Sequence, residues 1–229
     1  MITLTIPALL ALFTAMSSAP CGADDGQSAP NVTISTAAPD NLGTVAEGLY
    51  RGARPEGDDQ YAYLAKTLKV DTMVNLQHFH SDSEELCSRH GMDCRRFPIF
   101  LFFANDIRFD WKSFMKAFTF IVEKKEKGHR VYFHCAYGSD RTGSLAAALM
   151  IREAACGKSF DRKALWKQVD SEMEKHNFHG IYVFLRHSIK DWVFDFEKNQ
   201  DWICLKSAQV SPANTDGKGH AADSVRQMR

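Results

Sequence analysis

The segment from Val131 to Ala155, VYFHCAYGSDRTGSLAAALMIREAA, constrains this chain more than any other. A short apolar run, Val131-Tyr132-Phe133, leads into a glycine-containing loop. A helix rich in small residues then begins near Thr142. A strand, tight loop and helix in direct succession turn several backbone N–H groups toward one point. The positive end of the helix faces the same point. Such a cradle suits a tetrahedral dianion, and Ala136, Tyr137, Gly138, Ser139, Asp140 and Arg141 are the residues placed to line it.

Two side chains give the cradle chemistry. Arg141 carries a planar, permanently charged fork able to take two phosphate oxygens. Cys135 lies at the bottom of the loop, where inward amides and positive charge favour thiolate over thiol, the form that attacks phosphorus. His134 is placed to orient the loop, and the Thr142 hydroxyl to hydrogen-bond the thiolate and help it leave. Gly138 and Gly143 allow the turn and close approach. Asp140 opposes an anion by its charge. It either positions a substrate hydroxyl or the attacking water, or is a solvated or capping aspartate at the positive helix end.

The combination His134-Cys135, Gly138, Arg141-Thr142-Gly143 resembles the phosphate-binding loop of the protein tyrosine phosphatase superfamily, particularly its dual-specificity branch. Tyr50-Arg51-Gly52-Ala53-Arg54-Pro55 and Val74-Asn75-Leu76 are similar to the start of many bacterial members. The resemblance spans roughly Leu49 to Phe196. It departs at Gln77, where members often carry an arginine. It implies hydrolysis of phosphate monoesters through a phosphocysteine, with no metal or cofactor. It also implies a general acid on a loop upstream. Ala104-Asn105-Asp106 is similar to the acid-bearing loop of small dual-specificity phosphatases, which nominates Asp106. Asp110 is the competing aspartate, with an alternative role as N-cap of the helix starting at Trp111. Loops ending Asp-Arg-Thr-Gly resemble those of phosphatases acting on phosphoinositides or inositol polyphosphates. That class is favoured over phosphotyrosine proteins; an inactive phosphate-binding module is the further alternative.

Alternating strands and helices predict an α/β domain with a mainly parallel central sheet flanked by helices. Strands are expected at Leu49–Gly52, Val70–Leu76 and Arg95–Ile99. A helix is expected across Asp58–Leu68. Ser81-x-x-Glu84 reads as a capping box for another running to His90. Longer helices are expected at Trp111–Lys127, Asp161–Lys175 and Ile181–Phe196. The phosphatase domain is read as residues 45–206, with a polar, aperiodic and disordered tail from 207 to 229.

The first 23 residues are an apolar stretch followed by small residues, the pattern of a secretory signal, although no Lys or Arg follows Met1. Residues 24–44 read as a flexible linker. The alternatives are a lipid on Cys21, which would be the chain's link to a membrane, and a buried hydrophobic helix. Export is the expectation, in a bacterial setting. The six cysteines fit it: beyond Cys21 and Cys135, four remain, with Cys87–Cys94 and Cys156–Cys204 the pairs to test. Four ordinary buried thiols are the alternative.

Lysine plus arginine and aspartate plus glutamate each number 28, so global charge provides no attraction to nucleic acid, and no such partner is expected. A phosphorylated small molecule or phosphoprotein is the expected partner, bound by a local site. His78, His80 and His90 lack the spacing and companions of metal ligands. Lys124, Lys125, Lys127 and Arg130 read as a solvated helix end.

Overall fold

The computed structural model describes residues 37–100, 109–179 and 183–205. The stretch expected to be a signal sequence, most of the expected linker, Asp106 and the expected tail from 207 lie outside the described residues. Five strands form one sheet in the order β1-β2-β5-β3-β4. They are β1 (Gly43–Ala46), β2 (Leu49–Ala53), β3 (Thr72–Asn75), β4 (Asp93–Arg96) and β5 (Val131–Cys135). Only the β1–β2 pair is antiparallel; β2–β5, β5–β3 and β3–β4 are parallel. The α/β class with a mainly parallel sheet is therefore the observed architecture.

The helices are α1 (Gly57–Ala62, continued by a π-helical turn to Thr67), α2 (Glu84–Arg89), α3 (Trp111–Glu126), α4 (Asp140–Ala155), α5 (Arg162–Lys175), α6 (Val183–Phe194) and α7 (Phe196–Ile203). The strand period of two separates the faces of β5. Val131, Phe133 and Cys135 pack into the larger cluster with Phe114, Phe118, Leu145 and Leu149. Tyr132 joins the smaller one with Tyr50, Leu64 and Met73. Both faces are covered, as a parallel sheet requires. Helix α4 is the central helix, with Leu145, Ala146, Ala147, Ala148, Leu149 and Ile151 at 0–1 % exposure. Its alanines let the sheet and α5 to α7 approach from several sides at once.

Local readings shift in three places. The helix after β3 is capped by Ser83, whose side chain accepts from Leu86 N–H at 3.2 Å, so Ser81 is not its cap. Strand β4 lies at Asp93–Arg96, earlier than the expected Arg95–Ile99, because its pairing partner is Thr72–Asn75. The domain begins before residue 45. Strand β1 starts at Gly43, and Ala53 N–H donates to Asp40 O at 2.8 Å.

Two disulfides join Cys87 to Cys94 (Cα–Cα 6.1 Å) and Cys156 to Cys204 (5.5 Å). The first ties α2 to β4 and the second ties the end of α4 to the end of α7. Among the described residues Cys135 is the free cysteine. The basic residues in the last turn of α3 and just beyond it are not merely solvated. Lys124 pairs with Asp93 at 2.8 Å, Lys125 with Glu153, and Arg130 donates to Leu68 O at 2.7 Å.

Candidate active site

Parallel strands bring their carboxyl ends to one edge of the sheet, where open α/β folds bind ligands. Strand β5 ends there at Cys135, which is buried at 4 % exposure. The chain then turns through residues 136–139 and enters α4 at Asp140. Gly138 has φ 70°, a left-handed conformation that disfavours side chains.

Three successive carbonyls of this loop are tied from outside. Ala136 O accepts from Arg54 N–H at 3.3 Å. Tyr137 O accepts from Asn41 Nδ2 at 2.9 Å. Gly138 O accepts from the Arg51 guanidinium in a short contact. The N–H groups of Tyr137, Gly138 and Ser139 have no protein acceptor among the described residues. Neither does the Arg141 guanidinium have an ion-pair or hydrogen-bond partner among them. Backbone N–H groups in a turn before a helix N-terminus, left without protein acceptors, are able to accept an anion.

Cys135, Asp140, Arg141 and Thr142 thus lie on one strand–turn–helix unit, and two of them have surroundings that bear on their expected roles. Thr142 is fully buried and its hydroxyl makes no hydrogen bond, to Cys135 Sγ or to any other group. Asp140 is not free to face a substrate. Its carboxylate accepts from His179 N–H at 2.9 Å and lies 3.3 Å from His179 Nδ1, tying the start of α4 to the turn after α5. Burial holds its pKa above the usual carboxylate value, partly offset by His179.

His134 is fully buried on the opposite face of β5 from Cys135 and stacks on Tyr132 at 5.7 Å. Its Nδ1 lies 3.4 Å from Cys135 O, and its Nε2 lies 3.2 Å from Asp82 Oδ1. Asp82 in turn accepts from Asn75 Nδ2 at 3.0 Å. Of the two candidate acids, Asp110 caps α3, accepting from Ser113 N–H at 3.0 Å. Asp106 lies outside the described residues, so the structure does not place it.

Sequence reasoning assigned no role to Arg51, Asn41, Asp82 or His176. Arg51 is 1 % exposed on β2 beneath the loop. Burial pulls its pKa down to about 10, against support from Glu172 and Cys135. An arginine on an otherwise apolar strand was the available signal. Nothing in sequence marked the other three.

At the rim, Phe79 (81 % exposed) follows β3 and Tyr137 (78 %) follows β5, the adjacent strand. His78 contacts both Phe79 and Phe100 edge-on. Among the described residues no three His, Cys, Asp or Glu side chains converge as metal ligands.

The geometry agrees with comparison to known proteins. A structure of the core catalytic domain of the PP-IP phosphatase Siw14 from S. cerevisiae superposes with a TM-score of 0.50 at 15 % identity, covering 72 % of this chain and 95 % of that one. A second Siw14 catalytic-core structure gives 0.54 at 14 % identity, covering 74 % and 96 %. TpbA of P. aeruginosa is 20 % identical over 70 % of this chain and 92 % of that one, at a TM-score of 0.46, too loose an overlap to weigh. Sequence comparison with the curated proteins finds no match. A profile described as the tyrosine phosphatase family matches residues 36–153, a little over half of the chain, and ends within α4 beyond the loop. With that match over more than half of its length, the chain belongs to the tyrosine phosphatase family.

Proposed function

We propose that the protein hydrolyses phosphate monoesters through a phosphocysteine on Cys135. One observation carries this reading. Among the described residues, the N–H groups of Tyr137, Gly138 and Ser139 lack protein acceptors and Arg141 lacks a partner, all in the turn and helix start that follow the free thiol. The Cys135 thiolate attacks phosphorus, forming the S–P bond as the bond to the leaving oxygen breaks. Asp106, the proposed acid, gives that oxygen its proton. Water then attacks phosphorus, its proton passes to the Asp106 carboxylate, and the S–P bond breaks to release inorganic phosphate and the thiolate. Thr142 is the donor placed to stabilise the departing sulfur; its orphaned buried hydroxyl is consistent with that task.

The proposed substrate class is an inositol polyphosphate or phosphoinositide. Asp140 is engaged by His179, which reduces its opposition to a polyanion. The half-exposed Arg54 beside the loop is held only loosely by Glu56, at 3.5 Å. The Siw14 neighbour, described as a PP-IP phosphatase, is a precedent on this fold. The second reading is a phosphotyrosine protein, favoured by the exposed rings of Phe79 and Tyr137, which suit the face of a phenyl ring. Export remains part of the proposal, supported by two disulfides of the kind that persist in oxidising compartments.

Phosphate release from p-nitrophenyl phosphate tests the chemistry, and Cys135→Ser should abolish it. Release by the serine variant at the wild-type rate would exclude the phosphocysteine. Parallel assays on inositol hexakisphosphate and a phosphotyrosine peptide test the substrate class, with preference for the peptide selecting the second reading.

A further inference from the structure

In a trans peptide the C=O and the following N–H lie in one plane and point in opposite directions. Anchoring a loop carbonyl on the outside therefore aims the following N–H inward. Arg54 N–H on Ala136 O aims the N–H of Tyr137, Asn41 on Tyr137 O aims that of Gly138, and Arg51 on Gly138 O aims that of Ser139. All three of these N–H groups lack a protein acceptor among the described residues.

Asn41 differs from the other two tethers, which come from β2 and the residue after it, because it comes from the segment before β1 and is itself locked. Its backbone has φ 55°, a conformation asparagine tolerates better than most residues. Its Nδ2 also donates to His176 O at 3.1 Å, and its Oδ1 lies 2.7 Å from His176 Nδ1. With Nδ2 donating to two carbonyls, Oδ1 must be the acceptor, so the His176 proton sits on Nδ1. His176 is 2 % exposed, and its Nε2 lies 2.8 Å from Glu172 Oε1, close enough to pair although not aligned as a hydrogen bond. Gly43 keeps room for the ring; a Cβ there would come within 2.5 Å of Nε2.

We propose that Asn41 is a positioning residue of the phosphate site: its carboxamide, locked by His176, holds the Tyr137 carbonyl outward and thereby presents the Gly138 N–H to the bound phosphate. This rests on the reading of the loop as a phosphate cradle. Since that N–H meets the phosphoryl group in ground and transition states alike, its loss weakens binding more than turnover.

Asn41→Gly removes the carboxamide while accepting the left-handed backbone. It should raise KM for p-nitrophenyl phosphate, and the inhibition constant of inorganic phosphate, about three- to tenfold, the range expected for one hydrogen bond. The value of kcat should stay within about twofold. His176→Leu should reproduce the effect, and His176→Asn, whose amide N–H replaces Nδ1–H, should recover most of it. Unchanged KM and inhibition constant in Asn41→Gly, with or without a lower melting temperature, would reduce Asn41 to a brace for β1 and overturn the proposal. A fall in kcat at constant KM would overturn it also. Cys135→Ser, assayed alongside, separates the two ideas: if it stays active the cradle reading fails, whereas a dead Cys135→Ser with a wild-type-like Asn41→Gly sinks only the role of Asn41.

Discussion

Gly138 rests directly on Gly52, so closely that a Cβ on Gly138 would come within 2.5 Å of the Gly52 carbonyl carbon and 2.7 Å of Ala53 N. The loop is seated on the β2 backbone, with no side chain between to yield. Gly138→Ala must therefore either lift the loop or distort β2, besides straining a φ of 70°. Overpacking of this kind costs about 1–3 kcal/mol, with about 1 kcal/mol more from the left-handed backbone. Phosphate release should fall to a few per cent or less. Gly157→Ala is the matched control: its φ is 71° but nothing lies within 4 Å. It should lose about 1 kcal/mol in urea denaturation and keep its activity.

Arg51 joins the same loop from below. Replacing it with methionine keeps the aliphatic stem but removes the donor to Gly138 O and the cation facing Glu172. Breaking a buried charge interaction from one side costs about 3–5 kcal/mol. Arg51→Met should lower the denaturation midpoint strongly and raise the inhibition constant of inorganic phosphate. A variant with wild-type stability would mean that Arg51 gains nothing from its buried setting.

The disulfides should differ in their effect on stability. Cys156–Cys204 closes a sequence separation of 48 residues and Cys87–Cys94 one of 7. Loop-closure entropy gives about 4 kcal/mol for the longer and about 2 kcal/mol for the shorter. Paired Cys→Ser variants, compared by urea denaturation with Cys135 intact, should show the larger loss for Cys156/Cys204. Both should retain phosphate release while folded.

Asp140 predicts a pH dependence. Burial raises its folded-state pKa above the usual carboxylate value. The folded protein therefore binds this proton more tightly than the unfolded chain does. The associated stability is fully present below about pH 4 and is lost as pH rises through the raised value. Asp140→Asn keeps an acceptor for the His179 N–H without the buried charge. It should be more stable than wild type at neutral pH, and the advantage should vanish by about pH 3. An advantage that grows on acidification would contradict this account.

Much of the site was legible because its chemistry is local. Cys135, Gly138, Arg141 and Thr142 lie within one strand–loop–helix unit, and their spacing alone dictates a cradle. The residues that aim the cradle were not legible, because their contacts are remote in sequence. Arg51 reaches Gly138 across 87 residues and Asn41 reaches Tyr137 across 96. Asp82 reaches His134 across 52. Asp140 shows the same limit. Its neighbours in sequence left a substrate role and a capping role open, and could not show that its carboxylate is engaged by His179, 39 residues away. The shift of β4 to Asp93–Arg96 has a similar origin, since pairing with β3 decides which residues between Asp93 and Ile99 form the strand.

The cysteine loop thus prescribed the reaction class and the α/β architecture without reference to the rest of the chain, because thiol, amides and guanidinium converge through local backbone geometry. Folding settled which way the loop's amides point. A peptide plane can flip while its residue identities stay the same, and it is held by partners that meet only once β2, the segment before β1 and the end of α5 have packed around it.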